Sequence, residues 1–397
     1  MEPLILSKFT LTSAVGCELK EHEQALLNLR SGLGPCNLDF INLDTCVGRV
    51  KGIEDSPVVD RLKEFDCRNN RLAQLALHQD EFEQAVEKAK IRYGPERIGL
   101  FLGTSTSGIL QTEMAYRHRD PATGDLPKTY KYKETQNNFS VAAFVKKYFK
   151  LEGPALVVST ACSSSAKVFA EASRFIQSGF CDAAIVGGVD SLCQTTLYGF
   201  SSLQLVSSKP CRPADPDRDG LSIGEAGGYA LLEKPENGDF QNQIAFLGYG
   251  ESSDAYHMTS PQPEGRGMAQ SMQMALECSG LKANQISYIN LHGTATQTND
   301  KAEDKAVVKI FGSSTPCSST KGWTGHTLGA AGIAEAIICA ICLNNNFIPG
   351  SLNTRVLDSD FGSNIILENR TEKLGYVLSN SFGFGGNNCS LIFGIHL

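Results

Sequence analysis

Val157-Val-Ser-Thr-Ala-Cys-Ser-Ser-Ser-Ala-Lys-Val-Phe-Ala170 is the stretch on which the fold turns. The apolar run 155–158 stops at Ser159 and Thr160, and Ala166, Phe169, Ala172 and Ile176 then recur at spacings of three and four. That pattern predicts a strand followed by a helix, with Gly179 as its C-terminal stop. Cys162 falls at the junction, on or just before the first helical turn. Unpaired backbone N–H groups and the helix dipole favour an anion there, so the position predicts a stabilised thiolate. Ala161 and the small residues 163–166 would let the helix pack closely against its neighbours. Taken alone, Cys162 reads more readily as one further buried core cysteine.

Strands and helices alternate on both sides of this stretch. Strands are predicted at 4–14, 97–102, 183–186, 229–233 and 244–249, and helices at 21–29, 71–89 and 138–148, with a linker over 234–243. The second half repeats the order: a helix at 267–278, a strand at 286–291, a helix at 300–310, a long helix at 327–343 rich in small residues, and closing strands at 374–378 and 389–393. The 397 residues exceed what one core usually holds. The prediction is therefore an α/β fold of mixed sheets and buried helices in two pseudo-duplicated halves, 1–243 and 244–397, without a residue-level repeat.

The net charge of -7 argues against a nucleic-acid partner. No run approaches 18 apolar residues, so no membrane insertion is expected. Met1-Glu2-Pro3 lacks the basic start of a secretory signal. The thirteen cysteines show no paired metal-ligand pattern, and the single CxxC, Cys339 and Cys342, sits in an apolar helical run and reads as core. Free thiols in a reducing, cytoplasmic setting follow as the expectation, with no metal and no permanently bound cofactor.

Two histidines stand in Gly/Thr-rich turns after strand-like runs, where reactive groups are commonly displayed: His292 in His292-Gly-Thr-Ala-Thr296 and His326 in Lys321-Gly-Trp-Thr-Gly-His326. His326, like Cys162, is expected at the start of a helix of small residues. A neutral imidazole can donate N–H to a developing oxyanion from such a place; each histidine alone reads as well as a structural one. Asn380-Ser-Phe-Gly-Phe-Gly-Gly-Asn-Asn388 reads as a flexible Gly loop able to bring a backbone N–H beside a nucleophile, or as a plain turn. Two further matches fail on context. Asp215-x-Asp217-x-Asp219-Gly220 starts like a calcium loop but has Ala226 at its twelfth position, and Gly220-Leu-Ser-Ile-Gly224 has a polar loop before it where a hydrolase elbow needs a strand.

Thr160-Ala-Cys-Ser-Ser164, His292-Gly-Thr-Ala-Thr296, Lys321 with Thr324-Gly-His326, and Asn380-Ser-Phe-Gly-Phe-Gly-Gly386 occur in that order. Together with Arg212-Pro-Ala-Asp-Pro-Asp-Arg-Asp-Gly220 and the segment 253–261, the set resembles the β-ketoacyl-acyl carrier protein synthases, the elongating condensing enzymes of fatty-acid and polyketide synthesis, over essentially the whole chain. The resemblance implies a thiolase-like αβαβα fold and a homodimer. It implies an acyl group carried on Cys162, an oxyanion hole from the N–H groups of Cys162 and Phe384, and an enolate steadied by His292 and His326. Lys321 and Glu335 would form a buried pair, Thr294 and Thr296 would bind the phosphopantetheine arm of an acyl carrier protein, Phe384 would gate the acyl pocket, Thr106 would line it, and Thr259 would contact the substrate.

Trp323, Ala214, Gln297 and Asn387 depart from the family's usual Met, aromatic residue, Pro and Thr, which leaves pocket shape open while sparing every reacting group. Arg68-Asn-Asn-Arg-Leu72 resembles a segment in members that accompany aryl polyene clusters. An acidic carrier protein would meet a basic patch drawn from Arg61, Lys63, Arg68, Lys128, Lys131, Lys133, Lys209 and Arg212. A non-catalytic chain-length-factor subunit would lack the nucleophile, and a thiolase would need a second cysteine beside the Gly loop, where this chain has none before Cys389.

Overall fold

The strands that build the molecule are β1 (Leu4–Ser13), β2 (Ile98–Gly103), β3 (Ala155–Val158), β4 (Ala183–Asp190) and β5 (Ala226–Glu233), followed by β6 (Ile244–Ser253), β7 (Tyr288–Asn290), β8 (Pro316–Ser318), β9 (Asn364–Ile365), β10 (Tyr376–Gly383) and β11 (Asn387–Ile395). The computed structural model describes residues 1–39, 41–235 and 241–395, and among these the eleven strands join in the order β9-β8-β7-β10-β11-β6-β1-β5-β4-β2-β3. The first five strands lie in the spatial order third, second, fourth, fifth, first. Setting aside the edge strand β9, the second set repeats that order. The strand senses repeat too. The β1/β5 and β5/β4 pairs are antiparallel and the β4/β2 and β2/β3 pairs parallel. In the second set β6/β11 and β11/β10 are antiparallel, and β10/β7 and β7/β8 parallel. The two sets meet where Leu4 and Ile5 pair with Phe246 and Ala245. A duplication invisible in residue identities is thus written in topology.

Helices α1 (Arg68–Leu77), α2 (Phe82–Tyr93) and α3 (Ser140–Phe149) cover the outside of the first set, and α5 (Arg266–Ser279) and α6 (Gln297–Phe311) cover the second. Between the sets lie α4 (Ser164–Gln177) and α7 (Ala331–Asn345), packed on each other and on strands of both sets. Three apolar cores fill the gaps between these layers, the central one around α4 and α7. From Ala331 to Leu343 every residue of α7 is buried, as a helix apolar all round should be. The helical stretch Leu328–Asn345 is long and apolar enough to cross a membrane, yet 89% of it is buried inside the protein. Cys339 and Cys342 lie in this core.

Small residues let the layers close. A Cβ on Gly332 of α7 would come within 2.4 Å of the Ala166 backbone nitrogen, and one on Gly103 within 2.4 Å of that of Ser165. Glycines also explain two short strand readings. Gly187-Gly188, expected to end a strand, lies within β4, and Gly227-Gly228, expected in the loop before one, lies within β5; Gly188 passes 2.5 Å (by its virtual Cβ) from the Ser165 side chain. The expected flexible loop 380–388 is mostly strand, with only Phe384–Gly386 as a tight turn. Part of the expected linker, 236–240, lies outside the described residues.

Candidate active site

Strand β3 delivers the chain to Cys162, and α4 begins two residues later at Ser164. Ala161 between them holds a left-handed φ of 52°, a strained turn for a residue with a Cβ. Ser164 Oγ accepts the Thr160 N–H at 2.9 Å and donates to the Ala161 carbonyl at 2.6 Å, while Ser163 Oγ donates to Thr160 O. The serines around the cysteine therefore lock the turn that presents its sulfur. The tight turn Phe384–Gly386 stands opposite, with a Cβ on Gly383 lying only 3.2 Å from Cys162 N. The N–H groups of Phe384 and Cys162 both reach the sulfur. That pair of N–H groups also suits the oxygen of a thioester bound there.

Burial overrules the expected thiolate. Cys162 is 5% exposed, and desolvation pushes its thiol up to about 11, against the smaller lowering effects of Lys321 and the Phe384 N–H. The helix start is two residues removed, and the dipole effect fades within a turn. Cys162 rests as a thiol.

His292 follows β7, and His326 sits between the short helix Lys321–Thr324 and the turn Leu328–Ala330 that precedes α7; it is thus five residues before the helix it was expected to start. Both rings are buried and lie edge-on, centroids 5.2 Å apart at 86°. His326 Nε2 is 3.0 Å from Cys162 Sγ. Its Nδ1 accepts the Leu328 N–H at 3.3 Å, and His292 Nδ1 faces the Lys321 ammonium at 3.4 Å. A nitrogen that faces an N–H donor must keep its lone pair, so each neutral ring carries its proton on Nε2. Both rings are held well below the ordinary histidine range, first by burial and then by the Lys321 charge. The Lys321 Nζ donates to Glu335 Oε1, and both side chains are buried; burial lifts the Glu335 carboxyl to about 7 despite its partner. Cys162, His292 and His326 could offer three ligand atoms within 4.8 Å. Binding a metal there would have to displace the Cys162 thiol proton and the proton on each Nε2.

A narrow cleft opens onto these three residues. Phe200, Leu205, Leu221, Met268, Phe382 and Phe384 supply its apolar wall, and Thr259, Thr294, Thr296, Thr298, Asn299 and Asn388 its polar wall. Phe384 lies against Phe200, centroids 5.3 Å apart. Thr294 and Thr296 hydroxyls pair at 2.9 Å. Thr106, expected to line the acyl pocket, is not among the residues around this cleft; its N–H and hydroxyl both bond Asp190 Oδ1, at 3.0 and 2.8 Å. One expectation is corrected, that of Arg68 in a basic patch. Its guanidinium grips the fully buried Glu225 through two bonds of 2.9 and 2.6 Å and reaches Glu54, so it is interior and not part of a docking surface. Trp323 is buried with its Nε1–H on Ala25 O, away from the cleft. Ser222 of the hydrolase-like match accepts the Cys211 N–H and serves the backbone.

Glu303 was not singled out in the sequence. Its two oxygens accept the N–H groups of His292 and Gly293 at 2.8 Å each, and burial lifts it to about 7. Its position one helical turn beyond Asn299 on the polar-looking face of α6 gave it the look of a solvated charge.

The assembled cleft offers a nucleophile, a pair of backbone donors and two imidazole N–H groups converging on one point. Residues 68–237 match the profile described as Beta-ketoacyl synthase, N-terminal domain, and residues 245–355 match Beta-ketoacyl synthase, C-terminal domain. The 3-oxoacyl-[acyl-carrier-protein] synthase 2 of Vibrio cholerae is 30% identical over 98% of both chains, and that of Rhizobium meliloti is 40% identical over 61% of both. Among solved structures, a chain from the ketosynthase ApeO in complex with its chain length factor ApeC, from Xenorhabdus doucetiae, superposes with a TM-score of 0.89 at 38% identity, covering 99% of this chain and 98% of that one. A beta-ketoacyl synthase from Burkholderia phymatum gives 0.87 at 28% identity over the whole of both. A duplicated five-layer fold, a cysteine at its central helix and these likenesses along the full length together mean that the chain belongs to the β-ketoacyl synthase family of condensing enzymes.

Proposed function

We propose that the protein condenses an acyl thioester with malonyl-acyl carrier protein, releasing CO2 and giving a β-ketoacyl chain two carbons longer. Cys162 Sγ attacks the acyl thioester carbonyl; the C–S bond to the carrier breaks, and the cysteine proton leaves with the carrier thiol. The N–H groups of Cys162 and Phe384 hold the tetrahedral oxyanion. Malonyl-carrier protein then enters, its arm lying along Thr294, Thr296 and Thr259. Its C–C bond to the carboxylate breaks and the electron pair moves onto the thioester oxygen. The Nε2–H groups of His292 and His326 donate to that oxygen, each such donor being worth roughly 3 kcal/mol. The enolate carbon attacks the acyl group on Cys162, the C–S bond breaks, and the sulfur leaves as a thiolate that takes up one proton from solvent to restore the thiol. Lys321, tied to Glu335, keeps the His292 proton on Nε2, and Glu303 fixes the His292 backbone.

The observation that carries this reading is that ligand atoms of Cys162, His292 and His326 lie within 4.8 Å of one another, with each histidine Nδ1 facing an N–H donor. Protein mixed with acyl- and malonyl-carrier proteins should release CO2 and elongate the chain, and Cys162→Ser should abolish elongation. Equal elongation by both would sink the assignment. The nucleophile also favours a catalytic subunit over a chain-length-factor role. The likeness to the ApeO structure, with the Arg68-Asn-Asn-Arg-Leu72 segment, supports an aryl polyene pathway. We place the protein as a dimer of two halves per chain, 1–243 and 244–397, in a reducing cytoplasm that suits its thirteen free thiols.

A further inference from the structure

Asp190 ends strand β4 and is completely buried. Its two carboxylate oxygens gather six donors. Oδ1 accepts from Thr104 Oγ1 at 2.6 Å and from the N–H and hydroxyl of Thr106, while Oδ2 accepts from Ser105 Oγ at 2.6 Å; the Ser105 N–H is shared between the two oxygens. The sixth donor is the Gly329 N–H, 2.6 Å from Oδ2. Gly329 sits directly on the carboxylate: a Cβ there would lie 2.7 Å from Asp190 Oδ2 and 2.7 Å from Ser105 N. The residue before it, Leu328, is held at a left-handed φ of 55°, a strained conformation for a residue with a side chain that a neighbouring contact must offset. In that conformation the Leu328 N–H points at His326 Nδ1, and the other ring nitrogen faces Cys162.

We infer that Asp190 is a positioning residue for the condensation: by clamping Gly329 it holds Leu328 in its strained turn, and the Leu328 N–H in turn keeps the His326 proton on Nε2, aimed at the reacting oxygen. The inference rests on the condensing function proposed above and adds a residue outside the cleft that sets one of its two imidazole donors. Without the clamp Leu328 relaxes, Nδ1 loses its N–H donor, and the proton is free to sit on either nitrogen.

The test is Asp190→Asn, which keeps the shape but turns an amide NH2 toward N–H groups. The two half-reactions are measured separately. CO2 release from malonyl-carrier protein should fall on the order of 10-fold to 100-fold, while transfer of the acyl group to Cys162, which uses the backbone donors, should change less than about threefold. A role in folding alone would slow both steps by the same factor, and that result, or no loss of CO2 release, would overturn the inference. If Asp190→Asn does not fold, Gly329→Ala strains the same contact from the other side and should show the same split. A wild type that releases no CO2 would instead overturn the underlying reading.

Discussion

At Cys162 two physical effects compete, and magnitudes decide between them. A helix terminus stabilises a nearby charge by about 0.3–1 kcal/mol within its first turn, whereas burial can raise a thiol or carboxyl by several pH units. The structure sides with burial, at about 11. The rate of Cys162 alkylation by iodoacetamide in the substrate-free protein should therefore keep climbing between pH 7 and 10; a plateau by pH 8 would contradict the buried thiol. Glu303 carries a second pH signature. Its carboxyl is near 7 when folded against roughly 4.3 when exposed in an unfolded chain. The native state thus holds the extra proton between those values, so its contribution to stability is fully present below pH 4 and fades as pH rises through 7. Glu303→Gln removes that titration. The variant should start less stable at pH 5, having lost an acceptor, and the gap in melting temperature to wild type should narrow by pH 7.5. A gap constant across that range would show that Glu303 titrates normally. The residues that meet in the cleft were legible because each stands in its own short motif. Glu303 and Asp190 were not, since their partners, backbone N–H groups and for Asp190 three hydroxyls as well, are brought in from other segments, and no spacing in the sequence records that.

The helices that carry the chemistry cross at glycine. Gly332 of α7 rests on Ala166 of α4, four residues after Cys162, and six residues separate Gly332 from His326. The run of small residues after Cys162 was readable as a close-packing face, and the crossing bears that out. What escaped the sequence was the glycine on the other side: pairs such as Gly187-Gly188 read as strand ends because glycine usually breaks strands, whereas here they make room for α4. Gly332→Ala should force the helices apart, because the nearest atom is backbone and cannot swing away. Overpacking of this kind costs about 1–3 kcal/mol, and a displacement near 1 Å between reacting groups can cost on the order of 100-fold in rate. Melting temperature and CO2 release should fall together in this variant, unlike the selective loss expected for Asp190→Asn. Unchanged activity in a protein of unchanged stability would mean the crossing is looser than the geometry indicates.

Over the whole molecule the charge is -7, yet an acidic carrier protein meets only the cations within about 10 Å of it at 0.1 M salt. The sequence could count cations but could not say which reach the surface. Arg68 does not: removing its side chain leaves Glu225 buried without its partner, a loss of about 3–5 kcal/mol. Lys63 and Lys131, 68 residues apart in the chain, line one surface groove, and Lys209, Arg212 and Arg355 line another. These two grooves are where carrier docking should be felt. Lys63→Glu and Lys131→Glu should each raise the KM for malonyl-carrier protein roughly 2-fold to 5-fold, as for an exposed charge pair, with kcat and melting temperature unchanged. Arg68→Ala should do the opposite, lowering the melting temperature while folded protein keeps its KM. Added salt should raise the wild-type KM and shrink the difference between wild type and the two lysine variants, because screening removes only what those charges supply. A KM indifferent to salt and to both reversals would place docking on apolar contacts elsewhere on the surface.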